Sequence, residues 1–328
     1  MNAFKLELPY RLAYKKAEKE WSQEWFQYIL ENCNKQWSWY YISSNSNVTW
    51  DIIQDHPELP WDWNGISKNP NITLEIIQTN PNNPWNWYHF SSNPNITWEF
   101  IESNPDKNWC WHFICSNPVI TWEIIIQNPT LHYPWNWYAI SSNPNITWDI
   151  IQANLDKGWN WSVLGSHPNI TWDIIQANPD KYWNSYHVSA NPNITWDIVQ
   201  NNLWYNWNWE NLSKNPNITW DIIQANPDNP WNLMCFSYNP NITWDIIQSL
   251  PDDTWEWMYI SMNNMNHNKK IGKDEYIRKE LQGWFSQSSI KSELMASIWH
   301  PRNIHKFKYL DPDTFGVFGE NEEGEDKW

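Results

Sequence analysis

The chain has 328 residues, including 32 tryptophans, 22 prolines and only 8 glycines, and its formal net charge is −16. The shortage of lysine and arginine argues against nucleic acid and anionic membrane surfaces as partners, because basic side chains supply most of the affinity for both. No apolar run near the start suits a signal peptide, and no apolar segment approaches about 18 residues. We therefore expect a soluble, cytoplasmic protein that is not secreted.

Residues 1–24 interleave charged residues with leucine and tyrosine, and this pattern predicts a short helical lead-in. The charge of this segment is +1, that of residues 25–267 is −16 and that of residues 268–328 is −1. The excess negative charge therefore belongs to the middle of the chain.

A repeat with a period of 24 residues fills residues 25–267, with one step of 26 residues. Its threonine recurs at Thr49, Thr73, Thr97, Thr121, Thr147, Thr171, Thr195, Thr219 and Thr243. A degenerate first copy begins at Trp25, as expected of a terminal repeat that covers an exposed core face. A fixed period in this range is typical of stacked repeats. We predict an all-α fold, an α-solenoid of about ten short helix-pair repeats with a small helical C-terminal extension, and an array on the order of 100 Å long.

The first helix of each repeat is predicted to begin after the threonine. Thr147 suits the N-cap, Asp149 suits the positive end of the helix dipole, and Ile146 and Ile151 occupy the positions of a hydrophobic staple. An Asn-Pro pair ends this helix. The structural positions of this copy are Thr147, Trp148, Asp149, Ile150, Ile151, Trp159, Trp161 and Leu164.

The second helix is predicted to begin near a proline, as at Pro84, Pro134 and Pro230. It would carry both tryptophans of the Trp-x-Trp motif, with the first pointing almost opposite to the second. A helix with two apolar faces must be covered on both, and neighbouring repeats supply that cover. One isolated repeat should not fold, because its tryptophans can be buried only by stacking.

Three features have both a functional and a structural interpretation. One acidic residue per repeat could bind a basic peptide or cations, but compensation of helix dipoles explains this series. The Asn-x-Thr sequons could be glycosylated, although bonding to neighbouring turns fits better. Exposed Trp and Asn could bind sugars, yet tryptophan at fixed phase indicates core. The acidic series is Asp51, Glu75, Glu99, Glu123, Asp149, Asp173, Asp197, Asp221 and Asp245. The sequon asparagines are Asn47, Asn71, Asn95, Asn145, Asn169, Asn193, Asn217 and Asn241.

No residue pattern indicates catalysis. The nine histidines are scattered over different phases of the repeat, and there is no phosphate-binding glycine loop. The cysteines form no Cys-x-x-Cys pair and are interpreted as structural thiols. We expect a protein that is not an enzyme and has no cofactor or metal.

The repeat motifs NPNITWDIIQANPD and PWNWY-x-ISSNPNITW resemble the Trp-rich tandem repeats of uncharacterised proteins of giant DNA viruses of the mimivirus type. The segment Ser292–Leu310 resembles a Trp-His-Pro element near the C-termini of many proteins of such viruses. The resemblance covers most of the chain and implies an infected host cell or virus factory, with the virion also possible. It implies no catalytic residues.

Residues 268–328 differ from the repeats because basic residues become frequent. Two amphipathic helices are predicted, at Asp274–Phe285 and Ser288–Trp299, followed by an acidic disordered end at Glu320–Asp326. The extension could cap the last repeat or dock a partner. Its candidate partner-binding residues are Trp299, His300, Pro301 and Arg302.

Two functions remain from this reasoning. The first is a non-enzymatic scaffold that binds an unidentified protein partner through the repeat surface and the extension. The second is a glycan-binding or virion-associated structural component that uses exposed Trp and Asn positions.

Overall fold

The computed structural model of the chain describes residues 4–128 and 133–287. Every regular element within these ranges is helical, as the sequence predicts. The helices are α1 (Phe4–Glu31), α2 (Trp39–Ser44), α3 (Trp50–Asp55), α4 (Trp63–Lys68), α5 (Leu74–Thr79), α6 (Trp87–Phe90), α7 (Trp98–Ser103), α8 (Trp111–Ser116), α9 (Trp122–Gln127), α10 (Trp137–Ile140), α11 (Trp148–Ala153), α12 (Trp161–Leu164), α13 (Trp172–Ala177), α14 (Ser185–Ser189), α15 (Trp196–Asn201), α16 (Trp209–Lys214), α17 (Trp220–Ala225), α18 (Leu233–Phe236), α19 (Trp244–Ser249), α20 (Trp257–Met262) and α21 (Asn266–Gln287), with a 3-10 helix at Asp252–Thr254.

The described chain forms two compact units. Residues 25–267 make up the larger unit, and residues 4–24 with 268–287 make up the smaller one. The lead-in is helical, but α1 does not end at residue 24, because it continues into the first repeat and replaces the threonine cap there. The predicted helix Asp274–Phe285 lies within the longer α21. The second predicted tail helix and the acidic end lie outside the described residues.

The smaller unit is held by side chains of α1 and α21. Ala17, Trp21 and Ile277 are buried in it. Glu18 forms ion pairs with Lys269, at 3.0 Å, and with Lys273. Burial alone would raise the pKa of Glu18, but hydrogen bonds from the two ammonium groups lower it. The unit therefore combines a small apolar core with a paired charge at its edge.

The first helix of each repeat is built as predicted. Thr147 Oγ1 accepts the Ile150 N–H of α11 at 3.3 Å, and the cap recurs at each of the nine threonines. Asp149 is exposed in the first turn, and Ile146 and Ile151 are fully buried. These helices are only six residues long, so the cap and the buried isoleucines stabilise them more than helix propensity does.

The second helix differs from the prediction at its start. Helix α12 begins at Trp161, and the Asn160 side chain caps it by accepting the Val163 N–H at 3.0 Å. The prolines at 84, 134 and 230 therefore precede their helices instead of starting them. Trp159 lies in the extended linker and donates its Nε1–H back to the Asn154 carbonyl, at 2.7 Å. The predicted helix with two apolar faces is wrong because the first tryptophan of the motif is not helical.

In nine of the ten repeats a buried asparagine at the end of the second helix, which we call the ladder asparagine, joins consecutive repeats. Asn69 donates its Nδ2 amide to the carbonyls of Ser43, Asn45 and Val48 in the preceding repeat, at 2.9, 2.9 and 3.0 Å. Its Oδ1 accepts the Asn71 N–H at 2.8 Å. The equivalent asparagines are Asn45, Asn93, Asn117, Asn143, Asn191, Asn215, Asn239 and Asn263. Every repeat thereby satisfies backbone groups of its neighbour that would otherwise be buried without partners.

Two further polar contacts accompany this asparagine. The sequon residue Asn71 donates to the carbonyls of Ser46 and Val48, at 2.8 and 2.9 Å. The bonding of sequon asparagines to neighbouring turns is thus confirmed. Ser43 Oγ accepts the Asp62 N–H of the next repeat at 3.0 Å.

The repeat array closes into a ring, because the first repeat contacts the tenth as any repeat contacts the one before it. Asn45 donates Nδ2 to the carbonyls of Ser261 and Asn263, at 3.1 and 3.2 Å. The Ser38 N–H donates to Ser261 Oγ at 3.0 Å. Asn47 Nδ2 donates to a carbonyl of the tenth repeat at 3.1 Å. These bonds reproduce those of Asn69, Asp62 and Asn71 between neighbouring repeats.

Aromatic side chains also cross this seam. The ring of Tyr28 stacks on Trp244 with centroids 3.7 Å apart. Trp37 meets Trp257 edge to face, at 5.0 Å and 82°. The predicted array about 100 Å long, with a first repeat that caps an exposed core face, is therefore wrong, although the helix-pair repeats themselves are confirmed. Each end repeat covers the core face of the other, so the ring has no exposed end.

The second helices form the inner layer of the ring. Helix α2 packs closely against α4 and against α20, whereas no two first helices in the described ranges approach each other so closely. The layer with the closer neighbours has the smaller circumference, and ten repeats share a full turn at roughly 36° each. Small serine and asparagine side chains fill the inner contacts. Tryptophans fill the wider outer spaces, as Trp85 does between Trp50 and Trp63.

Replacing Asn45 tests the closure, with Asn215 as a matched control. Each residue donates to two carbonyls of the preceding repeat and accepts one N–H, and each is almost fully buried. In a closed ring, Asn45→Ala and Asn215→Ala should each lower the free energy of unfolding by about 2–4 kcal/mol, because either change leaves buried carbonyls unsatisfied. Urea unfolding measures both. A large loss for Asn215→Ala with almost none for Asn45→Ala would indicate an open array.

His167 replaces the ladder asparagine in one repeat. Its Nδ1 accepts the Asn169 N–H at 3.1 Å, so its Nε2 carries the proton and donates to the Asn143 carbonyl at 2.8 Å. Burial lowers the pKa of His167, and the hydrogen bond to Asn143 offsets only part of this effect. Protonation would place a second N–H against that of Asn169, so the ring favours neutral His167.

His167→Asn should therefore make folding less sensitive to acid. The folded pKa of His167 lies below the unfolded value of about 6.5, so its protonation favours the unfolded chain as pH falls through that value. The resulting loss is at most about 1.4 kcal/mol per pH unit. Urea unfolding of both proteins at pH values above and below 6.5 measures the difference, from which the other histidines cancel. Equal pH dependence of the two proteins would contradict the assignment.

Candidate interaction surface

The structural positions predicted in the sixth repeat take part in packing or helix capping. Ile151, Trp159 and Leu164 are buried. The remaining apolar positions, Trp148, Ile150 and Trp161, are half-buried. The candidate residues Trp299, His300, Pro301 and Arg302 lie outside the described residues.

Tryptophans of neighbouring repeats meet at eight of the ten contacts between repeats. The second Trp of one motif meets the first Trp of the next edge to face, as Trp137 meets Trp159 at 5.1 Å and 83°. The pattern continues through Trp37 and Trp257 at the seam. Ser185 and Leu233 replace the second Trp in two repeats without interrupting the ring. The indoles therefore act between repeats, as predicted from their fixed phase.

Few tryptophans are available to a ligand. Trp204 is the one largely exposed tryptophan in the part of the chain whose side chains the structure describes, at 74%. The first Trp of each motif donates its Nε1–H internally, as Trp61 does to the His56 carbonyl at 2.8 Å. The ladder and sequon asparagines likewise donate their amides to neighbouring repeats. Trp and Asn at these fixed positions thus stabilise the ring.

A different surface is accessible at most of its positions, and we call it the inner wall. It comprises the side chains one, two and five positions after the second Trp of each motif, on the inner helices. In the ten repeats these are Tyr40, Tyr41, Ser44, Asn64, Gly65, Lys68, Tyr88, His89, Ser92, His112, Phe113, Ser116, Tyr138, Ala139, Ser142, Ser162, Val163, Ser166, Tyr186, His187, Ala190, Glu210, Asn211, Lys214, Met234, Cys235, Tyr238, Met258, Tyr259 and Met262. These positions differ from copy to copy, while the capping and core positions hardly change.

Aromatic side chains of the inner wall contact one another across repeats. Tyr88 meets Phe113 edge to face at 5.4 Å, and His112 stacks with Tyr138 at 5.9 Å. Tyr88, Tyr138 and Tyr186 remain 44%, 50% and 48% exposed. Tyrosine presents a rigid apolar ring and a polar hydroxyl, and it is enriched in protein interfaces for that reason.

Gly65 permits the close approach of α2 and α4. A Cβ atom at this position would lie 2.3 Å from the Tyr40 carbonyl oxygen and 2.8 Å from the Ser43 Cβ. The missing side chain also lets Tyr40 reach His89 two repeats away, with ring centroids 5.9 Å apart. This glycine therefore shapes the inner wall where it is most tightly packed.

Gly65→Ala should lower the free energy of unfolding by about 1–3 kcal/mol. The added Cβ would clash with the backbone of α2, which cannot move without disturbing the hydrogen bonds of the ladder asparagines. Gly158→Ala is the control, since its nearest neighbours are Trp137 side-chain atoms at 3.4–3.5 Å. Thermal unfolding compares the two variants. Equal effects would show that close approach at Gly65 is not limiting.

The lysines of the ring fall into two groups. Four are paired with carboxylates, as Lys35–Asp252, Lys107–Asp106, Lys157–Asp156 and Lys181–Asp180. Lys68 and Lys214 are on the inner wall and form no ion pair with any described residue. Their ammonium groups instead lie 5.3 Å from the Tyr40 ring centroid and 5.5 Å from the Tyr259 ring centroid.

Charge is thus divided between the two faces of the ring. The acidic series of Asp and Glu residues, one per repeat, lies exposed on the outer helices. On the inner wall, burial lowers the pKa of Lys68, and burial together with the nearby charge of Lys68 lowers the pKa of His89. A half-buried ammonium group without a counterion favours the approach of an anion.

Other kinds of site find no support in the described ranges. Within them, no group of three or more His, Cys, Asp or Glu side chains could hold a metal ion, and no helix has the length and hydrophobicity needed to cross a bilayer. The four cysteines are free thiols, and burial raises the pKa of Cys115 and Cys235. Comparison with family models, with curated proteins and with solved structures finds no match to this chain.

Sequence reasoning missed the inner wall. It left function to the variable positions and the tail, but did not place those positions on one surface. The signal was available, because the positions after the second Trp vary between copies and carry three of the nine histidines and both unpaired lysines. Their common orientation became evident only when the second helices were known to form the inner layer.

Proposed function

We propose that the protein is a non-enzymatic scaffold whose ring binds a protein partner on the inner wall, with residues 268–328 providing a second contact. The observation that supports this proposal best is the set of half-exposed tyrosines at variable positions of an otherwise uniform repeat. Repeat proteins present their partners with variable side chains on a constant framework. The resemblance of the repeat motifs to those of giant-virus proteins supports an infected host cell as the place where the protein acts.

The charge distribution narrows the class of partner. An acidic outer face and only two unpaired lysines on the inner wall disfavour nucleic acid and anionic membranes. The glycan alternative depends on exposed Trp and Asn, and most of these donate their hydrogen bonds inside the ring. A protein surface with apolar groups and an occasional carboxylate fits the tyrosines and lysines of the inner wall better.

Site-specific crosslinking tests this function. A photoreactive phenylalanine analogue is placed at Tyr138 on the inner wall or at Asp149 on the outer face, in the full chain expressed in infected cells. We expect one specific protein to crosslink at position 138 and not at 149, and to be lost when Tyr88 and Tyr186 are changed to serine. A control variant changes Asp173 and Asp197 to asparagine and should keep the crosslink.

Two results would contradict the proposal. One is the absence of any specific crosslink at position 138. The other is a crosslink that is lost equally in the outer-face control, since that would place the partner elsewhere or indicate nonspecific attraction.

A further inference from the structure

A cavity of about 600 Å³ opens on the inner wall around Lys214. Its wall combines the aromatic rings of Tyr186 and Tyr238 with Met262, and its polar side includes Asn264. The cavity draws residues from four consecutive repeats, from α14 through α20 and the turn that follows. Its size falls within the range of pockets that hold small ligands or a few peptide side chains.

Lys214 supplies the only cationic group among the residues that line this cavity. Glu210, four residues earlier on α16, is the nearest acidic residue in sequence, but the two side chains are not within ion-pair distance. Lys214 makes no ion pair with any described residue, in a ring that carries 22 acidic side chains. The ammonium group lies over the Tyr259 ring and leaves its charge available to a bound anion.

The single charge limits the kind of anion. A polyphosphate or a nucleic-acid backbone would need several cationic groups, and the cavity offers one. One ammonium group beside aromatic and apolar walls instead suits one carboxylate attached to an apolar or aromatic group. The Asn264 amide can donate a further hydrogen bond to such a carboxylate or to the peptide backbone beside it.

We propose that this cavity binds a peptide carboxylate next to an aromatic residue, with Lys214 pairing the carboxylate and Tyr186, Tyr238 and Met262 holding the aromatic side chain. The proposal rests on the proposed function and specifies the feature of the protein partner that the inner wall recognises. A side-chain carboxylate and a chain terminus offer the same chemistry, and the choice between them is made by experiment.

The test uses three short fluorescent peptides and the full chain. Acetyl-Asp-Phe-amide carries a side-chain carboxylate, acetyl-Leu-Phe carries a terminal carboxylate, and acetyl-Asn-Phe-amide is the neutral match of the first. We expect one of the acidic peptides to bind at least about tenfold more tightly than the neutral one, since a charge-assisted hydrogen bond is lost in the latter. Which acidic peptide binds identifies the source of the carboxylate.

Two variants decide whether Lys214 is responsible. Lys214→Met should abolish the preference for the acidic peptide while keeping weak binding of the phenylalanine side chain. Lys68→Met makes the same change at the same repeat position outside the cavity and should leave the preference intact. Circular dichroism establishes that both variants are folded.

Equal binding of the acidic and neutral peptides would overturn the proposal, as would equal loss in the two lysine variants or no binding of any peptide. Inorganic phosphate at equal concentration should not displace the acidic peptide, and full displacement would assign the site to phosphate instead. Crosslinking at Tyr138 is a separate result. If it persists when peptide binding fails, the inner wall still binds a protein and only the carboxylate site is lost.

Discussion

The structure depends on one interaction: the ladder asparagine that every repeat but one extends into the preceding repeat. Short helices of four to six residues, such as α12 and α11, cannot be stable alone, and each leaves carbonyl groups without partners at its C-terminal end. One amide from the next repeat satisfies two or three of these carbonyls at once, in a place that water cannot reach. Folding and stacking are therefore a single event. In one repeat His167 stands in place of this asparagine, and its imidazole supplies one hydrogen-bond donor and one acceptor at the same position. The donor and the acceptor are therefore the features that the position requires.

Closure follows from the difference in size between the two layers. Serine, glycine and asparagine allow the inner helices to approach closely, while indole rings hold the outer helices apart. An array with constant curvature must meet itself after a full turn, provided that the ends lie at the same height. The first and tenth repeats meet with the hydrogen bonds and aromatic contacts of any other pair, so the ring needs no special capping repeat. It also gives the inner wall a fixed curvature, which an open solenoid would lack.

Much of the fold was predictable from the sequence, because the repeat period, the Thr-x-Asp cap and the Asn-Pro stops are local signals. The number of repeats and the role of the sequon asparagines followed from the same repeated sequence motif. Closure was not predictable, since the curvature per repeat is set by small differences in packing that no local pattern encodes. The start of the second helix was misplaced because proline suggested a first turn, whereas Asn160 supplies the cap. The inner wall was missed for a related reason: its residues lack a motif, and only the layer order brings them to one face.

The most direct test of the ring is the distance between its first and tenth repeats in solution. Spin labels at Gln36 and Asp253, both exposed and beside the ion pair of Lys35 and Asp252, report this distance by pulsed electron resonance. The exposed Cys33 is first changed to serine so that only the two chosen sites are labelled. A closed ring predicts one narrow distribution centred below about 30 Å, whereas an open stack of ten layers about 10 Å apart would separate the labels by more than roughly 60 Å. A long or broad distribution would contradict the closure.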